Sequence, residues 1–187
     1  MEKTRCNWCL GDQQMMDYHD TEWGVPVHHD KKHFEIIVLD TFQAGLSWKT
    51  ILHRRAGFKS AFANFDVKKV AEFSETDFER LMLNIGIIRN KLKIRSTISN
   101  AQAFMAIQKE FGTFDAYIWL FTKNRKLNSK RKTMQDVPVS TTESEAMSKD
   151  LYKRGFKFVG ATICYAYMQA AGLVNDHLTE CFKYKDV

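Results

Sequence analysis

The spacing of apolar residues along the chain predicts helices almost from end to end. Between residues 30 and 44, apolar positions recur at helical spacing, as at Phe34, Ile37 and Val38. Similar patterns, bounded by Gly, Ser, Thr or Asp, predict further helices over 47–62, 65–73, 77–83, 88–110, 114–121, 142–154 and 158–171, and a last short helix over 175–182. The pattern therefore predicts an all-α protein in which strands are absent or trivial.

One stretch, residues 122–138, breaks this periodicity. It is polar and rich in lysine and arginine, which is typical of an exposed loop. The length of 187 residues and an apolar content of 44% fit one globular domain over 1–187, or two small helical lobes with a pocket between them. We find no internal repeat and no low-complexity tract.

The charge balance favours a polyanionic partner. The chain has 28 Lys and Arg against 22 Asp and Glu, a net charge of +6, and its isoelectric point is near 9.1. This fits nucleic acid, although a basic protein without such a partner has the same balance. No apolar run approaches a membrane span, and residues 1–5 do not resemble a signal peptide, so we expect no membrane partner and a cytoplasmic protein.

Cysteine and histidine residues near the two ends could form a metal site. Cys6 and His19 lie near the N-terminus, and His177 and Cys181 near the C-terminus, four residues apart. On a helix that spacing puts two side chains on one face. Two Cys and two His complete a tetrahedral shell with no open position, as in structural zinc sites. The alternatives are a half-site formed by Cys6 and Cys9, and a histidine at 177 that binds no metal.

Two further groups of residues could contact nucleic acid. A glycine-bearing turn between two helices, residues 155–162, could present backbone N–H groups to a phosphate, with Arg154 and Lys157 beside it; the alternative is an ordinary helix corner. Asp40 lies in the apolar run 36–42, where a carboxylate is destabilising unless it is paired. A base could stack on aromatic residues from separate segments, with Asp40 reading its edge; these are Trp8, Tyr18, Trp23 and Trp48. The alternative is that they form the core and that Asp40 is exposed.

Taken together and in order, these segments resemble the 3-methyladenine DNA glycosylase I family of the helix-hairpin-helix glycosylase superfamily. The resemblance runs nearly end to end and rests on Arg5, Cys6, Trp8 and residues 18–26, 43–48, 86–89 and 155–177. It implies an all-α helix-hairpin-helix fold whose termini are joined by a structural zinc ion. It also implies base-excision repair of duplex DNA by a monomeric enzyme. The enzyme would flip out 3-methyladenine, hydrolyse its N-glycosidic bond and release the free base without cutting the strand.

The resemblance also assigns roles to residues. The zinc ligands would be Cys6, His19, His177 and Cys181. Trp48 would stack on the flipped base, with Trp8 and Tyr18 as further walls. Gly45 and Leu46 would fill the gap left in the DNA. The glycine-bearing turn of residues 155–162, called the hairpin below, would bind the DNA backbone through Lys157, Val159, Gly160, Ala161 and Thr162.

This chain departs from the family pattern in its pocket. The family's carboxylate is usually Glu, and Asp40 stands at that position as the expected catalytic residue; Met15 replaces a pocket tyrosine, and Cys9 is not a usual family residue. Asp176, next to His177, is interpreted as a structural residue or one that supports the metal site, and the alternative is a catalytic role. The departures leave two alternatives open: a zinc-containing DNA-binding protein without catalysis, or a glycosylase with altered alkyl-base specificity.

Overall fold

A computed structural model describes residues 3–187 and shows a predominantly helical protein. The α-helices within this range are α1 (Gln13–Thr21), α2 (Asp30–Gln43), α3 (Trp48–Leu52), α4 (Arg55–Ala61), α5 (Val67–Ala71), α6 (Glu75–Leu83), α7 (Lys91–Phe111), α8 (Phe114–Ile118), α9 (Thr142–Lys153) and α10 (Ala161–Ala170). Short 3-10 helices cover Asn7–Cys9, Ala63–Phe65, Trp119–Thr122, Met134–Asp136 and Phe182–Lys185. The all-α prediction is confirmed. No helix among the described residues is long and apolar enough to cross a membrane.

The core forms around α2 and α7. Helix α2 is buried over most of its length and packs against α3, α7 and α10. Its packing partners are largely aromatic: the rings of Phe34 and Phe104 meet edge to face at 5.5 Å, and Phe104 stacks on Phe114 at 4.0 Å. Because nearly every side of α2 is buried, a polar residue on it must face either a partner or a cavity.

Several helix starts differ by a few residues from the sequence prediction. Helix α6 begins after Ser74, and not after Thr76, because Ser74 and Asp77 form a reciprocal capping box. The predicted helix over 47–62 is two helices, α3 and α4, which meet at residues 53–54. Ser47 caps the first of them through the backbone N–H of Thr50, as predicted.

The predicted helix over residues 175–182 is wrong. Here the chain forms a two-residue strand, β2 (Val174–Asn175), which pairs in parallel with β1 (Leu127–Asn128) inside the basic segment 122–138. The side chain of Asn175 donates to the carbonyl of Tyr184 and accepts from the N–H of His177, so these groups stabilise a turn. His177 and Cys181 therefore lie in a loop, and their proximity comes from that turn.

A close crossing brings the N-terminal segment against the end of α10. Gly172 has a φ of +69°, and a Cβ there would lie 2.3 Å from the carbonyl carbon of Val25. Beside this contact, Val27 donates its N–H to the carbonyl of Ala171. The crossing places the segment that follows α1 next to the loop that carries His177, so both ends of the chain meet at one place.

Candidate functional site

The four predicted metal ligands converge in the structure. The ligand atoms of Cys6, His19, His177 and Cys181 all lie within 4.8 Å of one another, and all four residues are buried. The Sγ of Cys181 lies 3.5 Å from Nε2 of His19 and 3.6 Å from Nδ1 of His177, and the Sγ of Cys6 lies 3.8 Å from the same Nδ1.

These separations fit a tetrahedral metal ion. With Zn–S near 2.3 Å and Zn–N near 2.05 Å, tetrahedral geometry puts sulfur and nitrogen about 3.6 Å apart. The pKa of the Cys181 thiol lies far below its ordinary value because Cys6 and two imidazoles surround it. A thiolate among two imidazoles and a second sulfur is the donor set of a closed structural site.

Outer contacts fix both imidazoles of this cluster. His19 bonds through Nδ1 to Asp20 at 2.8 Å, and Arg5 pairs with Asp20 at 2.7 Å. His177 bonds through Nε2 to the carbonyl of Trp23 at 3.1 Å. In each ring the nitrogen that faces the cluster is therefore the one left free to ligate a metal.

Cys9 is not part of the cluster. It is fully buried, and its thiol donates to the carbonyl of Cys6 at 3.1 Å. Burial raises the pKa of the Cys9 thiol to about 11, so it stays protonated at neutral pH. The arrangement favours the four-residue cluster over the alternative half-site of Cys6 and Cys9.

A cavity of about 500 Å³ opens beside the metal cluster. It is bounded by the N-terminal aromatic residues, α2, α3, α10 and part of the segment 122–138. The residues predicted to form a base pocket all line it: Trp8, Met15, Tyr18, Asp40 and Trp48. Its walls are mainly apolar, with a few polar groups, as in pockets that bind planar organic molecules.

The aromatic walls of this cavity stand at angles to one another. The rings of Tyr18 and Trp48 are 5.0 Å apart and tilted by 46°, and Trp8 meets Trp23 edge to face at 5.1 Å. The indole N–H groups of Trp8 and Trp48 are buried without a hydrogen-bond partner. Unpaired donors in a cavity wall are available to a ligand, because buried polar groups in stable cores are normally satisfied.

Asp40 contributes a buried carboxyl group to the cavity. It is 2% exposed, and its Oδ2 atom has no hydrogen-bond partner among residues 3–187. Burial holds the pKa of Asp40 well above its ordinary value. The prediction of a buried carboxyl in an apolar surrounding is confirmed, and the alternative of an exposed Asp40 is wrong.

Further residues line the cavity beyond the five predicted pocket residues, among them Trp23, Gln169, Met134 and Val137. Trp23 was predicted only as one of the aromatic set, and Gln169 sits on α10. Met134 and Val137 belong to the segment 122–138, which the sequence predicts to be an exposed loop. Both are half-buried, and their apolar character within an otherwise polar stretch was the available signal.

Asp176 also lines the cavity, and its contacts agree with a structural role, one of the two roles predicted for it. Its buried carboxylate accepts hydrogen bonds from the hydroxyls of Tyr165 and Ser129 and, at 2.8 Å, from the amide of Gln169. Arg131 lies 3.5 Å from it. This network joins α10 to the segment 122–138, so Asp176 holds one wall of the cavity in place.

The turn after α2 and the hairpin before α10 are exposed. Gly45 has a φ of +77°, and Leu46 is 41% exposed. In the hairpin, Lys157 and Gly160 are exposed and no side chain caps α10, which leaves its first N–H groups accessible. The side chain of Val159 packs in the core, so only its backbone can face a ligand.

Arg154, expected to contact phosphates, is already engaged. Its guanidinium is 2.7 Å from both Glu110 and Asp150. This ion pairing competes with a phosphate contact by Arg154 and makes Lys157 the better candidate.

A family model described as Methyladenine glycosylase matches residues 8–184 of this sequence. The chain belongs to the methyladenine glycosylase family. It is 46% identical to DNA-3-methyladenine glycosylase 1 of Escherichia coli strain K12 over 180 residues, covering 96% of each chain. It is 44% identical to DNA-3-methyladenine glycosylase of Haemophilus influenzae, covering 95% of this chain and 96% of that protein.

Solved structures agree with this membership. A crystal structure of 3-methyladenine DNA glycosylase I superposes with a TM-score of 0.93 at 46% identity and covers 96% of this chain and 98% of its own. A structure concerning 3-methyladenine recognition by the Staphylococcus aureus protein has a TM-score of 0.93 at 30% identity and covers 96% of both chains. The helix-hairpin-helix superfamily assignment stays a prediction.

Proposed function

We infer that the protein removes 3-methyladenine from alkylated DNA by hydrolysing the N-glycosidic bond, as a base-excision repair enzyme. Relatives at 44% and 46% identity are DNA-3-methyladenine glycosylases. The structural observation that carries the inference is the unpaired carboxyl of Asp40 in a cavity walled by Tyr18 and Trp48.

The chemistry of the lesion matches this cavity. Methylation at N3 makes the adenine cationic, and it departs from the sugar as a neutral purine, so its glycosidic bond is already weak. The enzyme must flip the base, which costs a few kcal/mol, and hold it. An electron-rich ring such as that of Trp48 stabilises a cation by about 0.5 to 2 kcal/mol.

Asp40 distinguishes the cationic lesion from normal adenine. Burial raises the pKa of Asp40 and so favours its neutral form, and among the described residues its Oδ2 atom has no hydrogen-bond partner. A cationic base near Oδ2 favours the ionised form, and the resulting attraction is absent for a neutral base. Asp40 thus provides electrostatic selection and needs no role as a strong acid.

Duplex DNA would be held at two exposed places. Gly45 and Leu46 would occupy the gap left by the flipped base. The hairpin would bind backbone phosphate through the N–H groups of Gly160, Ala161 and Thr162, with Lys157 beside it. The family membership, the exposure of these segments and the net charge of +6 support this assignment.

The metal cluster would hold one structural zinc ion. Cys6, His19, His177 and Cys181 would be its ligands, and a closed shell of four leaves no position for water or substrate. When bound, the ion cross-links the two ends of the chain, and the chemistry of base release takes place in the neighbouring cavity. A monomeric state and a cytoplasmic location remain predictions.

Altered alkyl-base specificity is the second candidate function. Asp40 is one methylene shorter than Glu, and Met15 places a flexible thioether where an aromatic ring is usual; both line the cavity. These substitutions favour acceptance of a larger N3-alkyl group. Comparing excision of 3-methyladenine and 3-ethyladenine from duplex DNA would measure this preference.

The direct test is chromatographic detection of free 3-methyladenine released from methylated duplex DNA. We expect release without strand cleavage and without a borohydride-trapped adduct. Tight binding to the methylated duplex without any base release would instead indicate the non-catalytic DNA-binding alternative. Trapping of a covalent adduct would contradict simple hydrolysis.

A further inference from the structure

A buried lysine outside the cavity joins two exposed segments of the protein. Lys93, in the first turn of α7, is only 5% exposed. Its ammonium donates to the carbonyl oxygens of Phe42 at 2.8 Å and Ala44 at 2.5 Å. Within the described chain no carboxylate pairs with it. Burial lowers the pKa of Lys93.

The two carbonyls mark the end of α2, immediately before Gly45 and Leu46. Carbonyls at a helix C-terminus lack intrahelical partners, and a cation placed there satisfies them. Lys93 therefore fixes the backbone from which the Gly45–Leu46 turn projects. It also ties that turn to α7.

Two turns further along α7, a residue on the same face contacts the hairpin of residues 155–162. Asn100 is buried, its Oδ1 accepts from the N–H of Lys157 at 2.8 Å, and its amide donates to the carbonyl of Lys157 at 3.1 Å. Phe158, the next residue, has a left-handed φ of +56°, and its ring centroid is 5.9 Å from the Lys93 ammonium. Such a conformation persists only where the surroundings impose it.

We propose that Lys93 and Asn100 are positioning residues that fix the Gly45–Leu46 turn and the 155–162 hairpin relative to each other. Seven residues on a helix span about 10.5 Å, so one rigid element sets the separation of the two segments. This proposal rests on the proposed function, in which both segments contact one DNA duplex. Lys93 and Asn100 are buried, and neither lines the cavity.

Packing alone does not account for these side chains. A buried ammonium is destabilising unless its donors are satisfied, and a methionine of similar length would fill the same volume without that requirement. The lysine is nevertheless directed at two carbonyls of the turn, and the asparagine at both backbone groups of one hairpin residue. Both polar groups act on backbone that the proposed function places against DNA.

The test measures the affinity for DNA separately from the affinity for the free base. For wild type, Lys93→Met and Asn100→Asp we would measure three quantities: the Kd for a duplex with an abasic-site analogue, the Kd for free 3-methyladenine from tryptophan fluorescence, and KM and kcat on methylated duplex. The matched control is Lys109→Met, which removes the same charge from an exposed position on the same helix. Lys93→Arg tests rescue by a second cation.

We expect Lys93→Met to weaken duplex binding and raise KM on the order of tenfold, and to change free-base affinity less than twofold. Asn100→Asp should have a smaller effect of the same kind, because it keeps the acceptor for Lys157, and Lys93→Arg should recover part of the loss. Lys109→Met should stay within twofold of wild type.

Duplex affinity in Lys93→Met equal to that in Lys109→Met would overturn the proposal. A parallel loss of duplex and free-base affinity would also overturn it, since that indicates general destabilisation. If Lys93→Met does not fold, Asn100→Asp decides by the same criteria. The affinity for the abasic duplex can be measured without turnover, so it tests the positioning role even if wild type releases no 3-methyladenine. Absence of release would refute the proposed function and leave the positioning role to be decided by duplex affinity.

Discussion

The metal cluster and the cavity are neighbours, yet they differ in the hydrogen bonding of their buried polar groups. In the cluster every ring nitrogen has a partner: His19 bonds Asp20, and His177 bonds the carbonyl of Trp23. In the cavity, Oδ2 of Asp40 and the indole N–H groups of Trp8 and Trp48 have none. Trp8 belongs to both regions, since its ring meets that of His19 at 5.4 Å.

This difference indicates that the metal cluster stabilises the fold and that the cavity is available to bind a ligand. A fully satisfied cluster stabilises the fold and has nothing left to offer a ligand. The unpaired polar groups of the cavity destabilise the folded protein, and a bound ligand would supply their hydrogen-bond partners. In the proposed function the metal cluster therefore stabilises one wall of the cavity, and the cavity selects the substrate.

The largest expected effect comes from removing the metal. Freshly purified protein should contain one zinc per chain, and chelation or His177→Ala should lower the free energy of unfolding by more than about 4 kcal/mol. Elemental analysis and thermal unfolding measure these quantities. His53→Ala, which removes an exposed histidine outside the cluster, is the matched control. Unchanged unfolding after chelation would show that the cluster does not stabilise the fold.

Trp48→Ala should weaken binding of the free base to the cavity without unfolding the protein. Loss of stacking should cost about 1 to 3 kcal/mol of affinity for free 3-methyladenine, measured by calorimetry. Tyr152→Ala removes an aromatic ring that is 68% exposed and outside the cavity, so its affinity should match wild type. Equal affinities for the two variants would remove Trp48 from the binding site.

Asp40→Asn should make the protein more stable at neutral pH, by about 1 kcal/mol or more. Because the pKa of Asp40 is raised in the folded state, folding takes up a proton, and wild-type stability falls as pH rises from the ordinary aspartate pKa through the raised one. The variant lacks this proton uptake. Its advantage should therefore shrink toward pH 4; an advantage independent of pH would contradict the burial argument.

The sequence predicts the main helices, the aromatic walls of the cavity and Asp40. Helices α2 and α7 follow from apolar spacing, and Asp40 stands out because a carboxylate among Ile36–Leu39 needs a reason to be there. Met134 and Val137 could not be assigned, since their contact with the cavity depends on how the segment 122–138 folds back over it. The predicted helix over 175–182 fails because Asn175 forms tertiary hydrogen bonds that stabilise a turn.

The smallest expected effect separates two adjacent cations of the hairpin. Lys157 is exposed, whereas Arg154 is paired with Glu110 and Asp150. Lys157→Met should lower the slope of log affinity against log salt by about 1, as loss of one phosphate contact does. Arg154→Met should leave the slope unchanged. Equal slopes for all three proteins would exclude phosphate contact by Lys157.

Base release by Asp40 variants tests most directly whether Asp40 selects the cationic base. Single-turnover release of 3-methyladenine from methylated duplex would be measured for wild type, Asp40→Asn and Asp40→Glu between pH 5 and 9. The wild-type rate should rise with pH as the carboxyl ionises, Asp40→Asn should be slower by at least about tenfold and independent of pH, and Asp40→Glu should keep the pH dependence. Three equal rates with the same pH profile would show that Asp40 does not act on the base.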